Sequence, residues 1–246
     1  MVKPNFDFEK LYWKKGYKVV VGVDEVGRGC FAGPIVAAAV VFKGSRKSMV
    51  GRVGRKGTQL STSSTLSTLT TLEALGINDS KKLKPKERER LEKEIKKYAL
   101  AWGIAEIPTS VINRLGMGKA CARVMRKAIR QAQGKLSGGR TFVLVDGYHV
   151  KYIPSIGLKR QKPIIDGDQK SISIAAASIL AKVYRDKLMR KLSTKYPQFG
   201  WGRNKGYGTL EHQKAILRYG MTRYHRKQFI HTWQENNDKK GKKIAR

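Results

Sequence analysis

Asp24 and Glu25 are adjacent carboxylates that end the apolar run Val19–Val23, and the turn Gly27-Arg28-Gly29 follows at once. Two later apolar runs also end on acids: "TFVLVDG" on Asp146, and "KPIIDGDQKS" on Asp166 and Asp168. Strands that neighbour one another in a sheet lie about 5 Å apart, so acids at their ends gather on one edge. Gathered carboxylates repel each other and hold their protons more tightly. A hard divalent cation relieves that repulsion, since Mg²⁺ or Mn²⁺ takes oxygen ligands and keeps positions for water and substrate phosphates. Two such ions activate a water on one side of a phosphodiester and stabilise the leaving oxygen on the other. The spacing therefore points to metal-dependent phosphodiester hydrolysis. Adjacent strand residues face opposite sides, so Asp24 and Glu25 share a site only where the strand bends out, a bend the following glycines permit. Taken singly, each acid also reads as a turn or cap residue, Asp168 as the cap of the helix behind it. Convergence of three strand ends is what argues for a site.

The surrounding composition fits a polyanionic substrate. The chain has 246 residues, with 52 Lys+Arg against 18 Asp+Glu, a formal charge of +34. Such a charge attracts nucleic acid, because phosphates neutralised by Lys and Arg release counterions. A hydrophobic content of 40% supports a packed core. Cys30 and Cys121 are too few for a disulfide framework or a cysteine-based zinc site, and His149, His212, His225 and His231 lack metal-ligand spacing. No run approaches the roughly 20 apolar residues of a membrane span, so the chain is expected to be soluble and cytoplasmic, without a membrane partner. Neither a G-x-G-x-x-G fingerprint nor a P-loop is present.

The elements that must position the acids follow from periodicity. Val19–Val23 and Ile35–Phe42 read as neighbouring strands joined by a tight turn, and "AWGIAEI" and "TFVLVDG" as further strands. "KPKERERLEKEIKKYAL" reads as a surface helix whose four acids are solvated. "PTSVINRLGMGKACARVMRKAIRQA" reads as one helix opening at Pro108 and Thr109, and Ser171 to about Lys195 as a long helix in which Asp186 makes a surface ion pair. A glycine-rich loop and a helix from about Thr209 follow. Residues 43–72, rich in Gly, Ser and Thr, read as a flexible basic insertion whose removal leaves the fold intact, and residues 234–246 as a disordered basic tail. Residues 1–16 form an N-terminal arm and 17–233 the domain proper. The order of elements predicts an α/β fold: a mixed β-sheet flanked by helices, with a C-terminal helical extension.

The segments "GVDEVGRGCFAGPIVAAAV", "INDSKKL", "LVDG", "GDQKSISIAAASILAKVYRD", "YPQFGWGRNKGYGT" and "YHR" stand in an order that resembles the type 2 ribonucleases H, most closely the bacterial ribonuclease HII branch. The likeness runs from about Tyr17 to His231. It implies an RNase H-like fold and an endonuclease that cuts the RNA strand of RNA/DNA hybrids and incises 5′ to single ribonucleotides embedded in duplex DNA, as in ribonucleotide excision repair. On this resemblance Asp24, Glu25, Asp146 and Asp168 fall on the family's metal-binding acids, with two Mn²⁺ or Mg²⁺ ions as cofactors. Gly27, Arg28 and Gly29 match the turn that recognises the ribose 2′-hydroxyl, the group that separates RNA from DNA. Tyr207 matches the aromatic that packs on the sugar at the RNA-to-DNA junction. Lys81, Lys182 and Arg185 are expected phosphate contacts, and the protein is expected to act as a monomer. The chain departs from the family pattern at Asp166, where lysine is common, and at Gln228, where serine is common. Two other readings stand beside this one: a non-catalytic RNA-binding protein of the same fold, and a related nuclease with another substrate. The first gives no reason for acids on a nucleic-acid face. The second is opposed by the Gly-Arg-Gly turn together with Tyr207.

Overall fold

A computed structural model describes residues 3–44 and 63–244. In chain order the elements are α1 (Asp7–Lys14), β1 (Val19–Val26), β2 (Ile35–Val41), α2 (Ser63–Ala74), α3 (Pro85–Tyr98), β3 (Ala101–Ile107), α4 (Thr109–Leu115), α5 (Met117–Gln133), β4 (Thr141–Asp146), β5 (Gln161–Ile164), α6 (Ile172–Lys195), α7 (Trp201–Asn204), α8 (Leu210–Tyr219) and α9 (Lys227–Ile244). One mixed sheet has the order β3-β2-β1-β4-β5: β1, β2 and β3 pair antiparallel, while β4 and β5 run parallel to β1. The expected α/β sheet flanked by helices is present. Pro163 is accommodated because β5 is an edge strand.

Helices cover both faces, so the central strands carry apolar residues at almost every position. On one face Val21, Val23, Ala37, Ala39, Val143 and Val145 pack against Val124, Ala128 and Ile129 of α5. On the other, Val36, Ala38 and Val40 meet Ala176 and Ile179 of α6, while Val20 and Leu144 meet Ile174. α6 lies so close to β1 that a Cβ on Gly22 would collide with the backbone of Ser173 and Ile174. A glycine in the middle of β1 is therefore what lets the longest helix sit on the central strand. The N-terminal arm is tied to the same helix: the buried Glu9 of α1 accepts from the Ser171 hydroxyl at 2.6 Å and the Ser173 amide at 3.0 Å. Ser171, and not Asp168, is the cap of α6, accepting from the Ile174 amide at 3.3 Å.

Several expectations are corrected. Residues 45–62 of the expected flexible insertion lie outside the described residues, but residues 63–72 are helical in α2, and Leu69 and Leu72 are buried in the core. The signal was a leucine every third residue, Leu66, Leu69, Leu72 and Leu75, hidden in Ser/Thr composition. Deleting 43–72 would strip two core leucines, so that deletion is no longer expected to be harmless. The tail is helical to Ile244 in α9: Ile230 and Trp233 anchor the first turns, and extending a nucleated helix costs little. The expected single helix from Pro108 is two, broken at Gly116, whose φ of 77° lies in the left-handed region. Nor are all the α3 acids solvated. Glu92 is buried and accepts from Lys96 and Lys187, both at 2.7 Å.

A third cluster, Phe199, Trp201, Ile216 and Ile230 packed on Met189 and Ala32, joins the C-terminal helices to the end of α6. Two buried histidines lie within it. Trp201 donates its indole N–H to His212 Nε2 at 3.0 Å, and His212 Nδ1 donates to the Tyr207 carbonyl at 2.8 Å. His225 Nε2 then donates to His212 Nε2 at 3.1 Å, and its Nδ1 accepts from the Thr222 amide at 2.8 Å. Each ring needs one bare nitrogen, so both are neutral. Burial and the neighbouring His212 push His225 down to about 4.

Two measurements check this packing. Leu72→Ala should lower the unfolding free energy by about 2–5 kcal/mol in urea denaturation; an unchanged midpoint would detach α2 from the core. For His225, the folded value lies below the ordinary 6.5. Its contribution is therefore present above pH 6.5 and lost as pH falls through about 4. Relative to His225→Gln, the wild type should lose on the order of 2–3 kcal/mol over that window. Parallel stability profiles for the two proteins would contradict a buried neutral ring.

Candidate active site

Strand pairing brings the acids together. β1 and β4 run parallel with Val23 opposite Val145, so the next residues, Asp24 and Asp146, emerge side by side. β1 itself continues, paired with β2 as far as Val26 opposite Val36. The expected bend between Asp24 and Glu25 is absent. Instead β1 loses its β4 partner after Val23, and the two acids straddle the exposed end of the sheet. Asp24 reaches Ser178 on α6, while Glu25 reaches Cys121 on α5. Asp168 arrives from the short 3-10 turn Gly167–Gln169 just before α6, and the Gly167 amide of that turn donates to Asp146 Oδ1 at 2.7 Å.

The electrostatics follow from burial and crowding. Asp24 is pushed well above the usual carboxylate range by burial, then by Glu25 and Asp146, against the Ser178 hydrogen bond. Burial also raises Glu25, opposed by Arg28, whose guanidinium lies 3.8 Å from Oε1. Asp146 is raised by burial and lowered by the Gly167 amide; the exposed Asp166 adds the smallest of its perturbations. Asp168 is pushed up to about 7 by burial, then by Asp79 and Asp146. Burial and Glu25 push the Cys121 thiol up to about 12, which keeps it un-ionised.

Asp79 is the acid that sequence reasoning missed. It is buried, it meets Asp168 side chain to side chain, and its Oδ1 accepts from the Lys81 amide at 2.9 Å. It sits in a turn and not at a strand end, so no apolar run announced it. Lys81 is exposed among these acids: burial pulls its pKa down, and Asp79, Asp168, Asp24 and Asp146 together raise it. Among the described residues, no three acid, histidine or cysteine side chains are already drawn into a ligand shell. The donor chemistry nevertheless fits a hard divalent cation, since the converging groups are carboxylate oxygens that repel one another in its absence.

Two expected phosphate contacts are corrected. The Arg185 side chain is fully buried and donates to the carbonyls of Pro34 at 3.0 Å, Lys205 at 2.9 Å and Ala32 at 3.1 Å. Lys182 is committed to Asp186 at 2.8 Å, and Asp186, expected on the surface, is buried and also meets Arg88 at 3.4 Å. A basic helix face predicted outward-pointing cations; the close packing of α6 against β2 and α3 turns them inward.

Arg185 has a counterpart that spacing did not reveal. Arg226, in the "YHR" segment, is fully buried and donates to the carbonyls of Gly27 at 2.6 Å, Arg28 at 2.9 Å and Gly33 at 3.1 Å. The turn Gly27-Arg28-Gly29 is thus clamped by Arg226, while Arg185 holds the carbonyls of Ala32 and Pro34 just beyond it. Gly27 has φ 91°, and a Cβ there would strike the Arg185 side chain. The same turn is sewn to the loop bearing Tyr207, because Phe31 and Ala32 both donate to the Gly206 carbonyl, at 2.8 and 3.1 Å. The half-exposed Tyr207 ring ends up beside Cys30, immediately after Gly29.

Known proteins resemble this chain in sequence and in fold. The ribonuclease HII family model matches residues 60–235. Ribonuclease HII of Thermosynechococcus vestitus is 39% identical over 223 residues, covering 91% of this chain and 89% of that protein. The ribonuclease H2 of Pyrococcus horikoshii superposes with a TM-score of 0.64 at 22% identity, covering 89% of this chain and 98% of its own. Bst-RNase HIII, solved in complex with Mn²⁺, superposes with a TM-score of 0.59 at 18% identity, covering 83% of this chain and 64% of its own. From a family match over most of its length and relatives close to 40% identical, the chain belongs to the ribonuclease HII family and is a ribonuclease H, a hydrolase of the RNA strand in RNA/DNA hybrids.

Proposed function

We propose that the protein also incises duplex DNA 5′ to single embedded ribonucleotides, and that Asp24, Glu25, Asp146 and Asp168 do so by holding two divalent ions, Mn²⁺ or Mg²⁺. The observation that carries this reading is the parallel register of β1 with β4, which sets Asp24 and Asp146 side by side where neither can ionise easily. When bound, the ions would supply an activated water and charge neutralisation at the leaving oxygen. The four carboxylates would hold the ions through their oxygens, with Asp24 and Glu25 reaching them from opposite faces of the sheet. Asp79 holds Asp168, and Ser178 holds Asp24. Lys81, exposed among the acids, is suited to a phosphate oxygen. Attack on phosphorus with loss of the 3′ oxygen leaves a 5′-phosphate and a 3′-hydroxyl.

Selectivity for the ribonucleotide rests on the clamped turn. With the backbone of Gly27-Arg28-Gly29 fixed by Arg226, its polar groups can bond a 2′-hydroxyl through the backbone of its glycines. The exposed face of Tyr207 then stacks on the next sugar, which fits only if it lacks that hydroxyl.

The test is incubation of a DNA duplex carrying one ribonucleotide with protein and Mn²⁺ or Mg²⁺. Incision is expected on the 5′ side of the ribonucleotide, falling by more than about 100-fold in Asp24→Asn, beyond what loss of an outer-shell partner costs. Wild type and Asp24→Asn cutting equally, or not at all beside the ribonucleotide, would overturn the reading.

A further inference from the structure

A groove of about 820 Å³ runs between the outer face of α5 and the segment that follows β4. Lys119, Arg123, Arg126, Lys127 and Arg130 form one wall and Lys151 stands on the other; no acid lines it. These helix positions are three and four apart, one continuous stripe. Arg126 donates to the Lys151 carbonyl at 2.8 Å, which staples the two walls. The other five side chains are exposed. Among the described residues none of the six cations lies within ion-pair distance of a carboxylate.

In a chain this basic, a stripe of cations needs comparison with another helix. α3 is equally exposed, yet it intersperses Glu87, Glu89, Glu92 and Glu94 with its cations. α5 carries no acid in its 17 residues. Like charges four apart weaken a helix, so the stripe is held against local helix stability. Its position is also particular. Cys121, within the first two turns of α5, touches Glu25, and His149 in the opposite wall lies three residues beyond Asp146. Cys121 faces the core from the side of α5 opposite the stripe, so it is His149 that ties the groove to the strand carrying Asp146. From Lys119 to Arg130 the groove follows the helix for about 16 Å, roughly the rise of five base pairs.

We propose that this groove is a second nucleic-acid contact, seating the phosphodiester backbone of the duplex that flanks the cleaved bond. It sets affinity and salt dependence, while the clamped turn and Tyr207 set which bond is cut. A lipid surface is a poorer occupant: an interfacial helix lays an apolar face into the bilayer, and the apolar face of α5 is spent in the core. The proposal rests on the hybrid-hydrolase reading of the carboxylate edge.

The experiment measures binding of RNA/DNA hybrids to Asp24→Asn protein over a salt series. It compares R123Q/K127Q/R130Q with a control of equal charge on α3, K86Q/K93Q/K97Q. On a hybrid long enough to lie along α5, the groove variant should flatten the slope of log K against log salt by about 2–3, at about 0.9 for each phosphate that the variant no longer neutralises. The control should leave the slope nearly unchanged. With Asp24 restored, the groove variant should keep kcat at saturating hybrid while its KM rises at least tenfold. Equal slopes in groove and control variants would overturn the proposal, as would loss of binding to anionic phospholipid vesicles with hybrid binding intact. Failure of the wild type to hydrolyse any hybrid would instead sink the catalytic reading, with the salt slopes still reporting on the groove.

Discussion

Val23 lies opposite Val145 across two parallel strands, so whatever follows them must emerge together at one end of the sheet. In this chain both successors are aspartates. The end of a parallel pair opens a crevice, since no further strand residue caps it, and ligands in open α/β sheets bind there. The carboxylates are thus forced into proximity by backbone pairing, and their protons are held more tightly than usual as a result. Gly22 has a role in the same constraint. It lets α6 settle on β1, which brings Ser178 to Asp24 and the turn bearing Asp168 to Asp146.

Around this fixed edge the turn and loop proposed to read the ribonucleotide are held by a different device. Two buried guanidiniums, Arg185 from α6 and Arg226 from the start of the C-terminal helix, converge on the carbonyls of residues 27–34. Burying a charge is costly unless it is hydrogen-bonded, and here backbone oxygens take five bonds from Arg226 and three from Arg185. Burial accordingly draws Arg226 down to about 10. The loop of Tyr207 is bonded to the same turn, and the neutral His212–His225 pair supports it from beneath. The clamped turn and the carboxylate edge are therefore separate constructions joined through the end of β1.

Much of this was legible in the sequence because strand ends are. Apolar runs stopping at Asp24 and Asp146 marked two strands and the candidate site, whereas Asp168, expected at a third strand end, lies on the 3-10 turn four residues past the end of β5. The misses share a physical cause: they depend on which way a side chain turns after packing. Arg185 and Lys182 look like surface cations on a basic helix until α3 and β2 cover that face. Asp79 sits in a turn, where an acid is ordinary. Arg226 is one of 52 cations, and only its hydrogen bonds distinguish it. α2 was masked by its serines and threonines, which hid a leucine at every third position.

A net charge of +34 and a cluster of five carboxylates are consistent with each other only if the acids serve something cationic that the nucleic acid also needs. The most direct measurement is anomalous scattering from crystals of the protein grown with Mn²⁺. Peaks within bonding distance of the carboxylates of Asp24, Glu25, Asp146 and Asp168 are the predicted result. Mn²⁺ bound elsewhere, with no peak between Asp24 and Asp146, would contradict the account.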